Sequence, residues 1–131
     1  MTLPVSSGFG WRVNPVTGQL QHHDGIDIPA PVGTPVVASR GGTVIRVDRA
    51  GEGKGVINGN AVLIAGQGIT WAYLHLDSVA VVPGEVVRQG ARIGTVGRTG
   101  RATGPHLHLQ TLWNGRPTDP RGFFSPDTFR S

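Results

Sequence analysis

Apolar positions along this chain either alternate with polar ones or run for a few residues before a glycine or proline intervenes, a rhythm that predicts β-strands. The segments that carry it are TPVVAS (34–39), GTVIRVD (42–48), NAVLIAG (60–66), ITWAYLHL (69–76), GEVVRQG (84–90), ARIGTVG (91–97) and PHLHLQTLW (105–113). Turn residues such as Gly41, Gly42, Gly59, Asn60, Gly66 and Gly68 separate them. No window sustains a helical period with caps at both ends, so the expected class is all-β, mainly antiparallel, with few or no helices. GEGKG (51–55) reads as a flexible turn, because a phosphate loop would need a longer glycine frame and a Ser or Thr after Lys54. From Asn114 to Ser131, Pro117, Pro120 and Pro126 predict an extended wrap ending in a short turn of helix.

At 131 residues the chain fits a single domain, 1–131, long enough to bury a core without staples. It has no cysteine, which removes disulfides and thiolate ligands from consideration. MTLPVSSGFGW has no basic leader followed by an apolar stretch, and no run approaches the roughly 18 apolar residues of a membrane span. The expectation is a protein with neither a visible export signal nor a membrane span.

Charge narrows the partner. Eleven arginines and Lys54 against eight acidic residues give a formal net charge of +4, which favours an anionic partner. The arginines are scattered from Arg12 to Arg130 and form no helical stripe, so nucleic acid is not expected. A bacterial wall, with its phosphates and carboxylates, fits the same charge.

The chemistry lies in split histidine motifs. His23 and Asp27 in QHHDGIDIPAP are four apart, and Gly25, Pro29 and Pro31 oppose a helix there. On one strand, positions 23, 25 and 27 would share a face, with Ile26 and Ile28 turned to the core. His106 and His108 alternate with Leu107 and Leu109, which places both imidazoles on one strand face; one can bind metal while its neighbour reaches a substrate. Two imidazoles and a carboxylate can hold zinc with a position open for water. His22 reads as a solvated neighbour of His23. His75, in the aromatic-rich WAYLHLD, would in isolation be a core or rim residue, and Asp77 a solvated strand end. Arg98 and Arg101 read as a basic loop that could meet substrate carboxylates, and Trp11, Trp71 and Trp113 as groove-lining or core residues.

These motifs closely resemble the M23 zinc metallopeptidases, the lysostaphin-type or LytM-type peptidoglycan endopeptidases. SSGFGWRVNPVTG is similar to their opening loop, HDGIDIPAPVGTPVVAS to their HxGxD motif, YLHLD to their central histidine segment, and GRTGRATGPHLHLQ to their HxH motif with its preceding turn; NGRPTDPRGF is similar to their closing segment. The resemblance covers nearly the whole chain. It implies an antiparallel sheet bearing a narrow groove, zinc held by His23, Asp27 and His108, and His75 with His106 as the catalytic pair. None of these positions departs from the family pattern.

By that resemblance the chain hydrolyses peptide cross-links of bacterial peptidoglycan. Zinc-activated water is the nucleophile, His106 the general base, and a protonated His75 stabilises the oxyanion. The expected site of action is extracellular, periplasmic or in the cell wall, for a monomer that is either a trimmed bacterial enzyme or a phage-encoded endolysin. Three other readings compete. A lipoyl-type carrier would need a lysine at a hairpin tip, and a non-heme iron triad would need a closer His and carboxylate spacing. A non-catalytic wall-binding or hydrolase-activating domain would leave the complete set of site residues unexplained.

Overall fold

The structure, a computed structural model, describes residues 10–13, 18–99 and 105–120, apart from the side chains of 11–13 and 21–23. Strands β1 (Gly10–Val13) and β2 (Leu20–His23) form a small antiparallel pair with Gly10 opposite His23. The remaining strands are β3 (Ile26–Pro29), β4 (Pro35–Val37), β5 (Gly42–Asp48), β6 (Asn60–Gly66), β7 (Ile69–Val79), β8 (Val86–Val87), β9 (Arg92–Val96), β10 (His106–Trp113) and β11 (Arg116–Thr118). They make one antiparallel sheet in the order β11-β10-β7-β6-β5-β8, with β3 on β10, β9 on β7 and β4 on β9. The mainly antiparallel all-β expectation holds, and every predicted segment contains a strand.

Alternation decides which face is buried. Leu107, Leu109 and Thr111 of β10 and Trp71 and Tyr73 of β7 point into a core closed by Ile26, Ile28, Val44, Val62, Ile64 and Ile93. The Tyr73 hydroxyl donates to Ser39 Oγ at 3.0 Å and accepts from the Ser39 amide at 2.8 Å, which satisfies the polar groups brought into that core. Ala72 and Leu74 of β7 and Ala61 and Leu63 of β6 form a separate apolar cluster. They share their sheet face with His108 and Gln110, because His108 pairs with Leu74 and Gln110 with Ala72.

The structure corrects four details of the sequence reading. His23 and Asp27 do not lie on one strand: β2 ends at His23, β3 begins at Ile26, and the chain breaks at Asp24 and Gly25 so that each strand takes a different partner. The 51–54 turn is not a simple flexible connection, since it leads into a helical turn, α1 (Gly55–Asn58). Gly55 N donates to Glu52 O and Asn58 N to Lys54 O, so backbone hydrogen bonds close that loop. The predicted wrap begins instead with a hairpin. Asn114 and Gly115 both have positive φ, 52° and 76°, which suits the two-residue turn that returns β11 onto β10. Residues 121–131, where a terminal helical turn was expected, lie outside the described residues. Finally, Trp113 is exposed at the hairpin and is neither groove-lining nor core, while Trp71 takes the core reading; the Trp11 side chain is outside the described residues.

Candidate active site

Two strand registers build the site. Asp27 of β3 lies opposite His108 of β10, and His108 in turn lies opposite Leu74 of β7. His108 Nδ1 lies 2.7 Å from Asp27 Oδ1, and His106 Nε2 lies 3.5 Å from the same oxygen. Leu107 and Leu109 anchor the other face of β10, so both imidazoles are held on the groove side, as the spacing predicted. Ile26 and Ile28 anchor β3 in the same way.

His75 reaches this cluster by breaking the strand rule. Simple alternation along β7 would turn it to the core side with Trp71 and Tyr73. Its ring instead stands 5.5 Å from that of His106 and 5.9 Å from that of His108, centroid to centroid. The cause is local: His75 has a φ of 63°, and β7 carries one residue more than β6 between the pairs Asn60–Leu76 and Val62–Tyr73. The extra residue inverts the alternation, so Leu76 enters the core and His75 the groove. The backbone of β7 also changes partner here, from β10 before His75 to β9 after it.

The His75 Nδ1 is 2.7 Å from the Thr99 carbonyl oxygen. A carbonyl can only accept, so Nδ1 carries the hydrogen and Nε2 keeps its lone pair. Burial lowers the His75 pKa below 6.5, reinforced by the neighbouring His108 and His106 and partly offset by the Thr99 carbonyl and Asp27. In the metal-free protein this predicts a stability contribution that is present above pH 6.5 and lost as the pH falls below that value, because the unfolded histidine takes up a proton that the folded one resists. Melting temperatures measured in chelator should fall over that interval, and His75→Gln should flatten the decline. An identical decline in the variant would contradict the assignment.

Asp77 is exposed at the strand end, as expected, and Arg98 is exposed; Arg101 lies outside the described residues. So do the side chains of His22 and His23. Among the described residues no three His, Asp or Glu side chains form a metal cluster. Asp27 and His108 nevertheless suit zinc by chemistry, since a carboxylate oxygen and an imidazole nitrogen stand 2.7 Å apart, close enough for one ion to take the place of the proton between them. Gly25 supplies the room: a Cβ there would run into the Leu109 carbonyl and come within 2.8 Å of Gln110 Cγ and 3.0 Å of His108 Nε2.

Beside the histidines, a hollow of about 310 Å³ runs along the same sheet face. Leu63, Ala72, Leu74 and Leu112 line it with Gln110, and Arg46, Lys54, Ile57 and Asn58 close the far end. Arg46 Nε is 3.0 Å from Asp48 Oδ1, and Asn58 Nδ2 donates to Asp48 Oδ2 at 3.3 Å. This end of the groove and the Thr99 contact to His75 were not expected from the sequence. Neither has a local signal, since both depend on strands distant in the chain.

The family profile described as Peptidase family M23 matches residues 21–120, a span that includes all five candidate residues. The chain belongs to peptidase family M23. A similar M23 relative is the peptidoglycan DD-endopeptidase ShyC of Vibrio cholerae, 48% identical over 120 residues that make up 89% of this chain and 26% of the relative. Among solved structures, a zinc-containing peptidase from V. cholerae superposes with a TM-score of 0.79 at 38% identity, covering 89% of this chain and 35% of that one. The catalytic domain of lysostaphin from Staphylococcus simulans gives 0.77 at 29% identity, with 92% and 91% covered, and confirms the lysostaphin-type fold of this M23 chain. The chain spans about a quarter of the length of the curated relatives it matches, which are bacterial proteins; the phage endolysin expectation is not borne out by them.

Proposed function

We propose that residues 1–131 form a zinc-dependent M23 endopeptidase domain that hydrolyses peptide cross-links of bacterial peptidoglycan, in the periplasm or cell wall. The observation that carries this reading is the convergence of Asp27, His75, His106 and His108 from three strands onto one groove. The activity named for the Vibrio relative supports the choice of substrate. His23, Asp27 and His108 would hold the metal. Zinc there would polarise the scissile carbonyl and lower the pKa of the attacking water to about 7.

The chain's own residues supply the rest. His106, directed at the Asp27 carboxylate, takes the proton of the attacking water as general base. His75 enters neutral, with Nδ1–H held by Thr99 and Nε2 toward the cluster. Burial therefore opposes a resident imidazolium. The proton that His106 takes from the water is returned to the leaving amine. His75 becomes a cation only by accepting that water's second proton, stabilising the developing negative charge before it passes this proton to the amine as the carboxylate product forms. The apolar floor formed by Leu63, Ala72 and Leu74 carries the peptide past the histidines and keeps water from one side of it.

The test combines metal analysis with cleavage of defined, cross-linked wall peptides followed by mass spectrometry. Chelation should remove zinc and activity together, and zinc should restore both. Protein that binds no zinc, or that leaves every cross-link intact when loaded with it, would defeat the proposal.

A further inference from the structure

The bulge that brings His75 into the groove leaves a structural debt. A non-glycine residue at positive φ is strained, and the irregularity removes the Leu76 and Asp77 carbonyls from a regular ladder. Two side chains meet those carbonyls. Asn60 Nδ2 donates to Leu76 O at 3.1 Å and to Asp77 O at 3.3 Å. Thr99 Oγ1 donates to Leu76 O at 2.7 Å and accepts from the Asn60 amide at 3.0 Å. Asn60 is itself tied on its other side, where Oδ1 accepts from the Ala50 amide at 2.9 Å.

The same threonine supplies the carbonyl that holds the His75 ring. Its approach is possible because residue 59 is glycine: a Cβ at Gly59 would strike the Thr99 side chain and backbone, and its φ of 68° also suits glycine. Thr99 therefore fixes the bulged backbone through its hydroxyl and orients the imidazole through its carbonyl. Asn60 locks the arrangement from the neighbouring strand.

We propose that Thr99 and Asn60 are positioning residues that hold the His75 backbone kink and ring orientation required for proton transfer at this site. This rests on the reading of His75 as one of the catalytic pair. Substrate contacts are not involved, so losing the clamp should lower kcat and leave KM and zinc content unchanged. A ring displaced by about 1 Å can cost on the order of 10²-fold in rate.

The variants are Thr99→Val, which keeps the shape and removes the hydroxyl, and Thr99→Ser, which restores it. Asn60→Asp is a third, keeping the acceptor for Ala50 and removing the donors to Leu76 and Asp77. Zinc content, melting temperature, kcat and KM on a soluble cross-linked peptide, and the ¹⁵N signals of the His75 ring would be measured for each. Thr99→Val is expected to lose about 10²-fold in kcat and the hydrogen-bonded Nδ1–H signature. Thr99→Ser should recover most of both, and Asn60→Asp should shift in the same direction as Thr99→Val. The proposal is overturned if Thr99→Val keeps kcat and the His75 ring signals, or if Thr99→Ser loses as much as Thr99→Val. The ring signals are read without substrate, so they judge the clamp even where the unaltered protein cleaves nothing, a result that would instead remove the peptidase reading.

Discussion

His108→Ala is expected to lose both zinc and cleavage, whereas His106→Ala should keep the zinc and lose about 10²–10⁴-fold of the rate, the range for a general base. The two rings share a strand face two residues apart, but their relations to Asp27 differ. His108 Nδ1 is 2.7 Å from the carboxylate oxygen and lies directly across the β3–β10 register from it. His106 approaches through Nε2 at 3.5 Å and stands nearer to His75. On the proposed assignment His108 is a metal ligand, so removing it takes away a ligand, whereas removing the His106 ring leaves the ligand set in place. Zinc content, cleavage of a soluble peptide and circular dichroism on both variants decide the matter. Zinc lost from His106→Ala and retained by His108→Ala would reverse the assignment along β10.

Gly25→Ala should be nearly as damaging, although the residue carries no functional group. A single Cβ would run into the Leu109 carbonyl, a backbone atom fixed by pairing on both sides of β10. That obstacle cannot rotate away, so β3 must move off β10, and Asp27 moves with it relative to His108. Overpacking of this kind costs about 1–3 kcal/mol, and displacement of a site residue by about 1 Å costs on the order of 10²-fold in rate. The expected outcome is a lower melting temperature together with weaker zinc binding and slower cleavage. Full zinc affinity and unchanged turnover in a folded Gly25→Ala protein would show that the close approach of β3 to β10 does not matter to the site.

Much of this site is legible in the chain because strand alternation is a local rule. Leu107 and Leu109 had to be buried, which left His106 and His108 on the other face, and Ile26 and Ile28 fix Asp27 in the same manner. The failures have equally specific causes. Asp24 and Gly25 look compatible with a continuous strand until β2 and β3 are seen to take different partners, a choice made by residues far along the chain. The four-residue helix at 55–58 is too short for any periodicity to announce, and it is closed by backbone hydrogen bonds that have no residue signature.

Sequence alone determined the all-β class, the family motifs and the faces of β3 and β10, because each follows from residue type and a two-residue period. Only the tertiary structure decided the place of His75. Its period assigns it to the core with Trp71 and Tyr73; the groove receives it because β7 must leave β10 and join β9 at that point, and the bulge that makes this possible is held by Asn60 and Thr99, residues 15 and 24 positions away in the chain.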